Sequence, residues 1–161
     1  MKKIYLFSLL VLSIQVGQAQ NFNLDLVSQL EYGAKLNDVW AYIDGEGTEY
    51  ALVGTNTPGG ISVVDLSDPE NPIEVAFVPD AASLWRDVKV WGTHAYAINE
   101  NSEGLLIIDL SSLPDAGGIT TARYTGPNDD PWYSAHNIYI DEFGFAYIFG
   151  ANRDNGGAIM L

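Results

Sequence analysis

The chain has 161 residues, no cysteine and a formal charge of −14, from 21 acidic and seven basic side chains. The lack of cysteine excludes a disulfide-stapled fold, so burial and hydrogen bonds must hold the domain. The acidic charge disfavours nucleic acid and anionic membranes as partners, because both would repel the chain. An acidic surface is compatible with cation binding and with plain solubility, and we favour solubility.

The N-terminus predicts an export signal. Lys2 and Lys3 precede an apolar run over residues 4–16, and the small residues Gly17 and Ala19 follow at the positions that a signal peptidase recognises. The apolar run is shorter than the ~20 residues that cross a bilayer, so cleavage is favoured over a membrane anchor. We therefore expect a secreted or cell-surface protein with no membrane insertion after cleavage. The predicted segments are a signal peptide over 1–19 and a lead-in segment over 20–35.

A repeat begins after the lead-in. Asp38, Asp87 and Asn137 occupy matching positions in three similar openings and are 49 and 50 residues apart. Each opening is followed by an apolar run around a tyrosine and then by a third run after a glycine-containing loop. A fourth run completes the first two copies. The predicted second strands cover 50–53, 94–98 and 145–149, the third strands 60–65, 104–109 and 157–161, and the fourth strands 73–78 and 119–124.

These runs predict an all-β fold. They are short, rich in Val, Ile, Tyr and Trp, and bounded by Gly, Asn, Asp and Pro, with no sustained helical period beyond the lead-in. Four strands recurring about every fifty residues are typical of antiparallel β-propeller blades, whereas a β-sandwich lacks such self-similarity. Residues 36–161 are therefore a predicted partial propeller. Its predicted blades are blade one over 36–80, blade two over 84–125 and a partial blade three over 134–161.

Known propellers close with about four to eight blades. Fewer than three blades leave apolar faces and strand edges open to water, so the ring is predicted to be incomplete. We expect that the chain is truncated. The alternative is that several short chains assemble one ring.

Two stretches carry a family resemblance. Residues 61–72 (ISVVDLSDPENP) and 105–112 (LLIIDLSS) resemble the LVIVD repeat, and residues 83–90 and 134–138 resemble the choice-of-anchor B group of that superfamily. The resemblance implies a secreted, surface-associated propeller whose C-terminal anchor varies, and it implies no particular activity. The second copy departs from the pattern at residues 111–114, where SSLP replaces the usual Ser-Asp-Pro. We expect its turn to differ.

The loops that join one predicted blade to the next carry the candidate binding residues. Trp85, Trp132 and Tyr133 are predicted to stack on or anchor a carbohydrate or an extracellular protein. A polar group beside them is predicted to line the axis, where its oxygens would coordinate a cation or its basic members would hold an anionic or sugar ligand. The alternative is that these polar side chains cap the strand starts or bond the backbone of the neighbouring blade. The predicted axial group comprises Asp38, Arg86, Asp87, His136 and Asn137.

His136 is the best candidate for a catalytic base, because a histidine titrates near neutral pH. Ser134, two residues away, lacks the context of an activated nucleophile, so the pair is a weak signal. Calcium is a candidate cofactor at the loops 99–104 and 152–156, although neither has the spacing of a helix-loop-helix calcium site. Asp65 and Asp109 recur at strand ends and are predicted to accept hydrogen bonds from turn amides.

We therefore favour a non-enzymatic binding module that acts through its loop face. The alternative is an extracellular, hydrolase-like enzyme with an axial site around Arg86, Asp87 and His136. A third interpretation is surface display without a ligand.

Overall fold

A computed structural model describes residues 24–153 and 159–160. The predicted signal peptide lies outside the described residues. In the described part the chain is all-β, with eleven strands and one short 3-10 turn, Ala116–Gly118. The strands are β1 Leu36–Ile43, β2 Glu49–Thr55, β3 Gly60–Asp65, β4 Ile73–Pro79, β5 Arg86–Trp91, β6 His94–Asn99, β7 Leu105–Asp109, β8 Thr120–Tyr124, β9 Asn137–Ile140, β10 Ala146–Phe149 and β11 Ile159–Met160. The predicted strand positions are confirmed to within about two residues, apart from the third strand of the last copy, which is described only at Ile159 and Met160.

The strands form three antiparallel sheets, one for each repeat. The sheet orders are β1-β2-β3-β4, β5-β6-β7-β8 and β9-β10-β11, so each sheet is a simple meander. We call them blade 1, blade 2 and blade 3. The first strand of each blade lies against the first strand of the next, β1 against β5 and β5 against β9. This stacking of similar meanders through their first strands is the arrangement of propeller blades.

The middle strands β2, β3, β6 and β7 carry buried residues on both faces, and the cores lie between the blades. Leu52, Ile61 and Val63 of blade 1 pack with Val88 and Leu106 of blade 2 in a first cluster. A second cluster joins blade 2 to blade 3. Its buried members are Ile98, Leu105, Trp132, Ala135, Ile138, Ala146, Ile148 and Ala151. Each blade thus needs a neighbour to cover its face.

Aspartates close the turns, as expected at strand ends. Asp65 accepts a hydrogen bond from the Ser67 amide at 2.7 Å, and Asp109 accepts one from the Ser111 amide at 2.9 Å. Asp44 accepts from two amides of the β1–β2 turn, at 2.9 Å each. The prediction that Asp65 and Asp109 serve the turns is confirmed.

The turn after β7 differs from the turn after β3, as the departure from the repeat pattern predicted. Asp115 caps the short 3-10 turn by accepting from the Gly117 amide at 3.1 Å. Leu110, directly before the substituted residues, and Leu113, which is one of them, are both buried in the first core cluster. The substitution therefore gives blade 2 a longer β7–β8 connection that contributes to the core.

None of the described residues belongs to a helix of the length and apolar character needed to cross a membrane.

Candidate functional site

The predicted axial residues Asp38, Asp87 and Asn137 come together along the first strands. Asp38 accepts a hydrogen bond from the Val88 amide at 2.8 Å, and Asp87 accepts one from the Ile138 amide at 2.8 Å. The Asn137 amide group also reaches Asp87, at 3.4 Å. Each aspartate therefore bonds the backbone of the following blade, which is the structural alternative considered for these positions.

Lys89 supplies positive charge between the two aspartates. Its ammonium contacts the Asp87 carboxylate, lies 3.8 Å from Asp38 and sits 4.4 Å from the centre of the Trp40 ring. Burial favours a raised pKa for Asp87, but the Lys89 ammonium and the Ile138 amide outweigh it, and the net shift is downward. Burial prevails at Asp38 and raises its pKa despite the bond from Val88. The Lys89 ammonium therefore supplies, between Asp38 and Asp87, the positive charge that a bound cation would otherwise bring.

Arg86 does not face an open axis. Its guanidinium pairs with Asp80, both side chains are fully inaccessible, and it donates a second bond to the Ala81 carbonyl at 2.7 Å. The absence of a side chain at Gly54 makes room for it, since a Cβ there would come within 3.2 Å of the Arg86 Cδ. The predicted ligand-binding role of Arg86 requires access that this buried ion pair denies.

Asp80 is the centre of this network, and the sequence interpretation missed it. Arg123 approaches the Oδ1 atom of Asp80 at 2.6 Å, and the Asn99 side chain donates at 3.1 Å to Oδ2, the oxygen that also pairs with Arg86. Arg123 continues to Glu103 at 2.8 Å. The network links the junction after blade 1 to the first, second and fourth strands of blade 2 and to the β6–β7 loop. The signal available in the sequence was a lone acid at the start of a blade junction, six residues before Arg86.

Trp132 also differs from expectation. Its side chain is 0% exposed and belongs to the core between blades 2 and 3, so it offers no face to a ligand. The Trp132 amide donates to the Thr125 carbonyl at 2.7 Å, which folds the junction back on itself. Gly126, at φ +86, permits this, because a Cβ there would lie 2.8 Å from the indole Cδ1. The glycine was the signal that could have predicted the burial.

Trp85 and Tyr133, in contrast, are exposed. Both belong to blade junctions, and both are tied to the β6–β7 loop: the Trp85 carbonyl accepts from the Glu100 amide at 3.4 Å, and the Tyr133 carbonyl accepts from the Gly104 amide at 2.7 Å. The backbone on either side of Tyr133 is also held, since the Asn152 side chain accepts from the amides of Tyr133 and Ser134. We define the junction surface as the exposed residues Leu84, Trp85, Glu100, Tyr133 and His136.

His136 is exposed and its ring contacts the Glu100 carboxylate. The Glu100 contact was not foreseen, because the two residues lie in different blades and are 36 positions apart. Among the hydrogen bonds of the described residues, none joins the Ser134 hydroxyl to the His136 ring. The geometry thus gives His136 an orienting acid but no partnered nucleophile.

The calcium candidates are engaged in other contacts. The Asn99 side-chain oxygen accepts from the amides of Asn101 and Ser102, at 2.8 and 2.9 Å, and so closes the loop 99–104. In the part of the chain that the structure describes, no three His, Cys, Asp or Glu side chains cluster as metal ligands. Most of the second candidate, residues 154–156 of the loop 152–156, lies outside that part.

The stacked four-stranded meanders and the repeated bonds between their first strands define a β-propeller-like repeat protein. The family model for the LVIVD repeat matches residues 47–80 and 85–114. The first match covers β2 to β4 of blade 1, and the second covers β5 to β7 of blade 2 and the start of its long turn. These two segments of the chain are therefore similar to the LVIVD repeat. No curated protein and no solved structure matches the chain.

Proposed function

We propose that the chain is a secreted or cell-surface binding module whose junction surface holds an extracellular carbohydrate. The observation that carries the proposal is the exposure of Trp85 and Tyr133, which are 58% and 48% accessible. Both rings belong to junctions whose backbone is bonded to the β6–β7 loop, and exposed aromatic side chains on adjoining segments are typical of a surface that contacts a partner.

The backbone beneath the rings is held before any ligand arrives. Hydrogen bonds join both junctions to the β6–β7 loop, and Asn99 and Asn152 brace the loop and the second junction from within. A preorganised surface loses little conformational entropy on binding. Rigid aromatic anchors on such a surface supply contact area at low entropic cost.

The chemistry of the surface favours a sugar. The C–H face of a pyranose packs on the electron-rich face of an aromatic ring, and hydroxyls need acceptors and donors at the rim. Glu100, whose amide donates to the Trp85 carbonyl, and His136, which contacts Glu100, supply such groups. The acidic chain would repel a strongly anionic polysaccharide, so a neutral glycan is the favoured class.

The secreted location is supported by the leader-like residues 1–19 and by the resemblance to the choice-of-anchor B group. Aromatic surfaces of this kind are suited to attachment to, or recognition of, extracellular material. The enzymatic alternative depends on one observation, the contact between His136 and Glu100, which resembles an oriented base.

A glycan array of neutral and charged oligosaccharides, probed with the purified chain, tests the proposal. We expect binding that weakens by about tenfold or more, or about 1.4 kcal/mol, on Trp85→Ala or Tyr133→Ala. Phe143→Ala is the matched control, because Phe143 is an exposed aromatic residue, at 74%, that lies outside the junction surface. Binding unaffected by both junction variants would overturn the site. Hydrolysis of a bound glycan that disappears in His136→Ala would establish the enzyme instead.

A further inference from the structure

The ion pair between Asp80 and Arg86 has no role in the binding proposal as it stands. Both side chains are 0% exposed, so neither can contact a ligand. Burial of two charges costs solvation energy that their attraction recovers only in part, and apolar side chains of similar size often stabilise a fold as well. A fully bonded polar network instead favours one geometry of the segments around it. We therefore expect this network to fix the geometry of the segments that it joins.

One branch of the network holds the junction between blades 1 and 2, on which Trp85 lies. The Arg86 guanidinium pairs with Asp80 and donates to the Ala81 carbonyl at 2.7 Å, so the junction folds around this side chain. Arg86 directly follows Trp85 in the sequence, and the Ser83 hydroxyl donates to the Trp85 carbonyl at 2.8 Å. The backbone that carries the exposed Trp85 ring is thus held on both sides.

A second branch leads from Asp80 to the β6–β7 loop. Asn99 is 0% exposed, and its side chain donates to Asp80 at 3.1 Å and to the Ser102 carbonyl at 3.0 Å. Its side-chain oxygen accepts from the amides of Asn101 and Ser102. The whole hydrogen-bonding capacity of the Asn99 side chain is therefore engaged. A displacement of Asp80 would reach the loop through this side chain.

The β6–β7 loop in turn holds the junction between blades 2 and 3, on which Tyr133 lies. The Gly104 amide donates to the Tyr133 carbonyl at 2.7 Å, and the Asn99 carbonyl accepts from the Ala135 amide at 2.9 Å. The loop thus binds this junction at Tyr133 and again two residues later. Hydrogen bonds that begin at Asp80 therefore extend to the segments of both aromatic residues.

We propose that Asp80 is a positioning residue for the junction surface. It couples the segment that carries Trp85 to the segment that carries Tyr133, and so presents the two rings to a glycan in one relative arrangement. This inference rests on the proposed function, since it concerns the same surface. Two anchors held in one arrangement lose less conformational entropy on binding than two that move independently, so the coupling raises affinity without any contact between Asp80 and the glycan.

Amide hydrogen exchange of the ligand-free chain, followed residue by residue by NMR, tests the coupling. We expect Asp80→Asn to accelerate exchange at the Gly104 and Ala135 amides by about tenfold or more, because the loop and the second junction then open locally. The acceleration should be smaller at Leu52 and Val63, which lie in the first core cluster. On the glycan array, Asp80→Asn should weaken binding by about tenfold or more.

Asp44→Asn is the matched control. Asp44 is also a buried acid, 7% exposed, and it accepts from two backbone amides, but it lies in the β1–β2 turn at the other end of the strands. This variant should lower stability without a preferential effect at Gly104 or Ala135. If Asp80→Asn does not fold, Arg123→Gln replaces it, because Arg123 contacts Asp80 at 2.6 Å and is 30% exposed.

Equal acceleration at the junction and core amides would overturn the proposal, because Asp80 would then stabilise the fold as a whole. Unchanged rates at Gly104 and Ala135 would overturn it too, as would glycan binding that stays as tight in Asp80→Asn despite faster exchange. The exchange measurement needs no glycan. A chain that shows the coupling but binds nothing on the array would therefore refute the proposed function, whereas failure of the coupling alone would leave that function standing.

Discussion

Asp87 accepts a hydrogen bond at 2.8 Å from the amide of Ile138, which lies 51 residues later and one blade further on. Asp38 makes the same bond, at the same distance, to Val88. One aspartate in each of blades 1 and 2 thus sets the register of its first strand against the first strand of the next blade. In this part of the molecule Asp38 and Asp87 set the register between blades, because their carboxylates accept hydrogen bonds from backbone amides.

Replacing Asp87 tests this role. Asp87→Ala leaves the buried Ile138 amide without a partner, and we expect a loss of about 1–3 kcal/mol in the free energy of unfolding. Asp87→Asn retains an acceptor but loses the charge that pairs with Lys89, so its loss should be smaller. Chemical denaturation measures both. Asp68→Ala, which removes an acceptor from an exposed turn, is the control and should change stability by less than either. Equal losses in Asp87→Ala and Asp87→Asn would show that the hydrogen bond to Ile138 is unimportant.

The lowered pKa of Asp87 predicts that the folded state loses stability in acid. Its folded pKa is lowered, chiefly by Lys89 and the Ile138 amide acting against burial, relative to about 3.9 in an unfolded chain. The folded state then binds the proton less readily, so this stabilisation is complete above the unfolded value and is lost as the pH falls through the folded pKa.

The pKa shift of Asp38 has the opposite sign. Burial raises its pKa, so protonation of Asp38 favours the folded state. Denaturation midpoints measured from neutral pH down to pH 3 should therefore fall less steeply in Asp87→Asn than in the unaltered chain, and more steeply in Asp38→Asn. Parallel curves for the three proteins would contradict these assignments.

The buried pair of Arg86 and Asp80 gives a second test of stability. Arg86→Met removes one of the two cations that contact the buried Asp80 carboxylate, while Arg123 and Asn99 remain. We therefore expect a loss of about 3 kcal/mol, the lower end of the range for a broken buried ion pair. Arg153 and Asp130 form a more exposed pair, and Arg153→Met should cost less than about 1 kcal/mol. Thermal unfolding distinguishes the two. If Arg86→Met unfolds at the temperature of the unaltered chain, the pair does not hold the junction in place.

Repetition made the strands predictable, since one pattern of apolar and turn residues occurs three times and each copy checks the others. It also placed Asp38, Asp87 and Asn137 on a common axis. The roles of Arg86 and Trp132 were not predictable in this way, because they depend on how junctions of unequal length fold back. Arg86 is buried through its ion pair with Asp80, a residue outside the repeat pattern. Trp132 is buried because Gly126 adopts a positive φ that folds the junction back. Repeat patterns say nothing about such single contacts.

The Trp91 ring packs against Gly144, in the turn between β9 and β10. Gly144 has a φ of +88, and a Cβ there would lie 2.6 Å from the Trp91 ring, which borders a groove of about 400 Å³ between blades 2 and 3. Gly144→Ala imposes both backbone strain and a clash, so we expect a loss of about 1–3 kcal/mol. At this chain length such a loss lowers the unfolding temperature by roughly 2–4 °C for each kcal/mol.

Gly45→Ala is the matched control for Gly144→Ala, because Gly45 also lies in a turn between the first two strands of a blade and a Cβ there meets nothing within 4 Å. The indole of Trp91 should also move into water in Gly144→Ala and shift the tryptophan emission to longer wavelength. Equal unfolding temperatures for the two alanine variants would show that blade 3 does not depend on this contact. A lower temperature without the emission shift would assign the loss to backbone strain alone, since the ring would then have stayed in place.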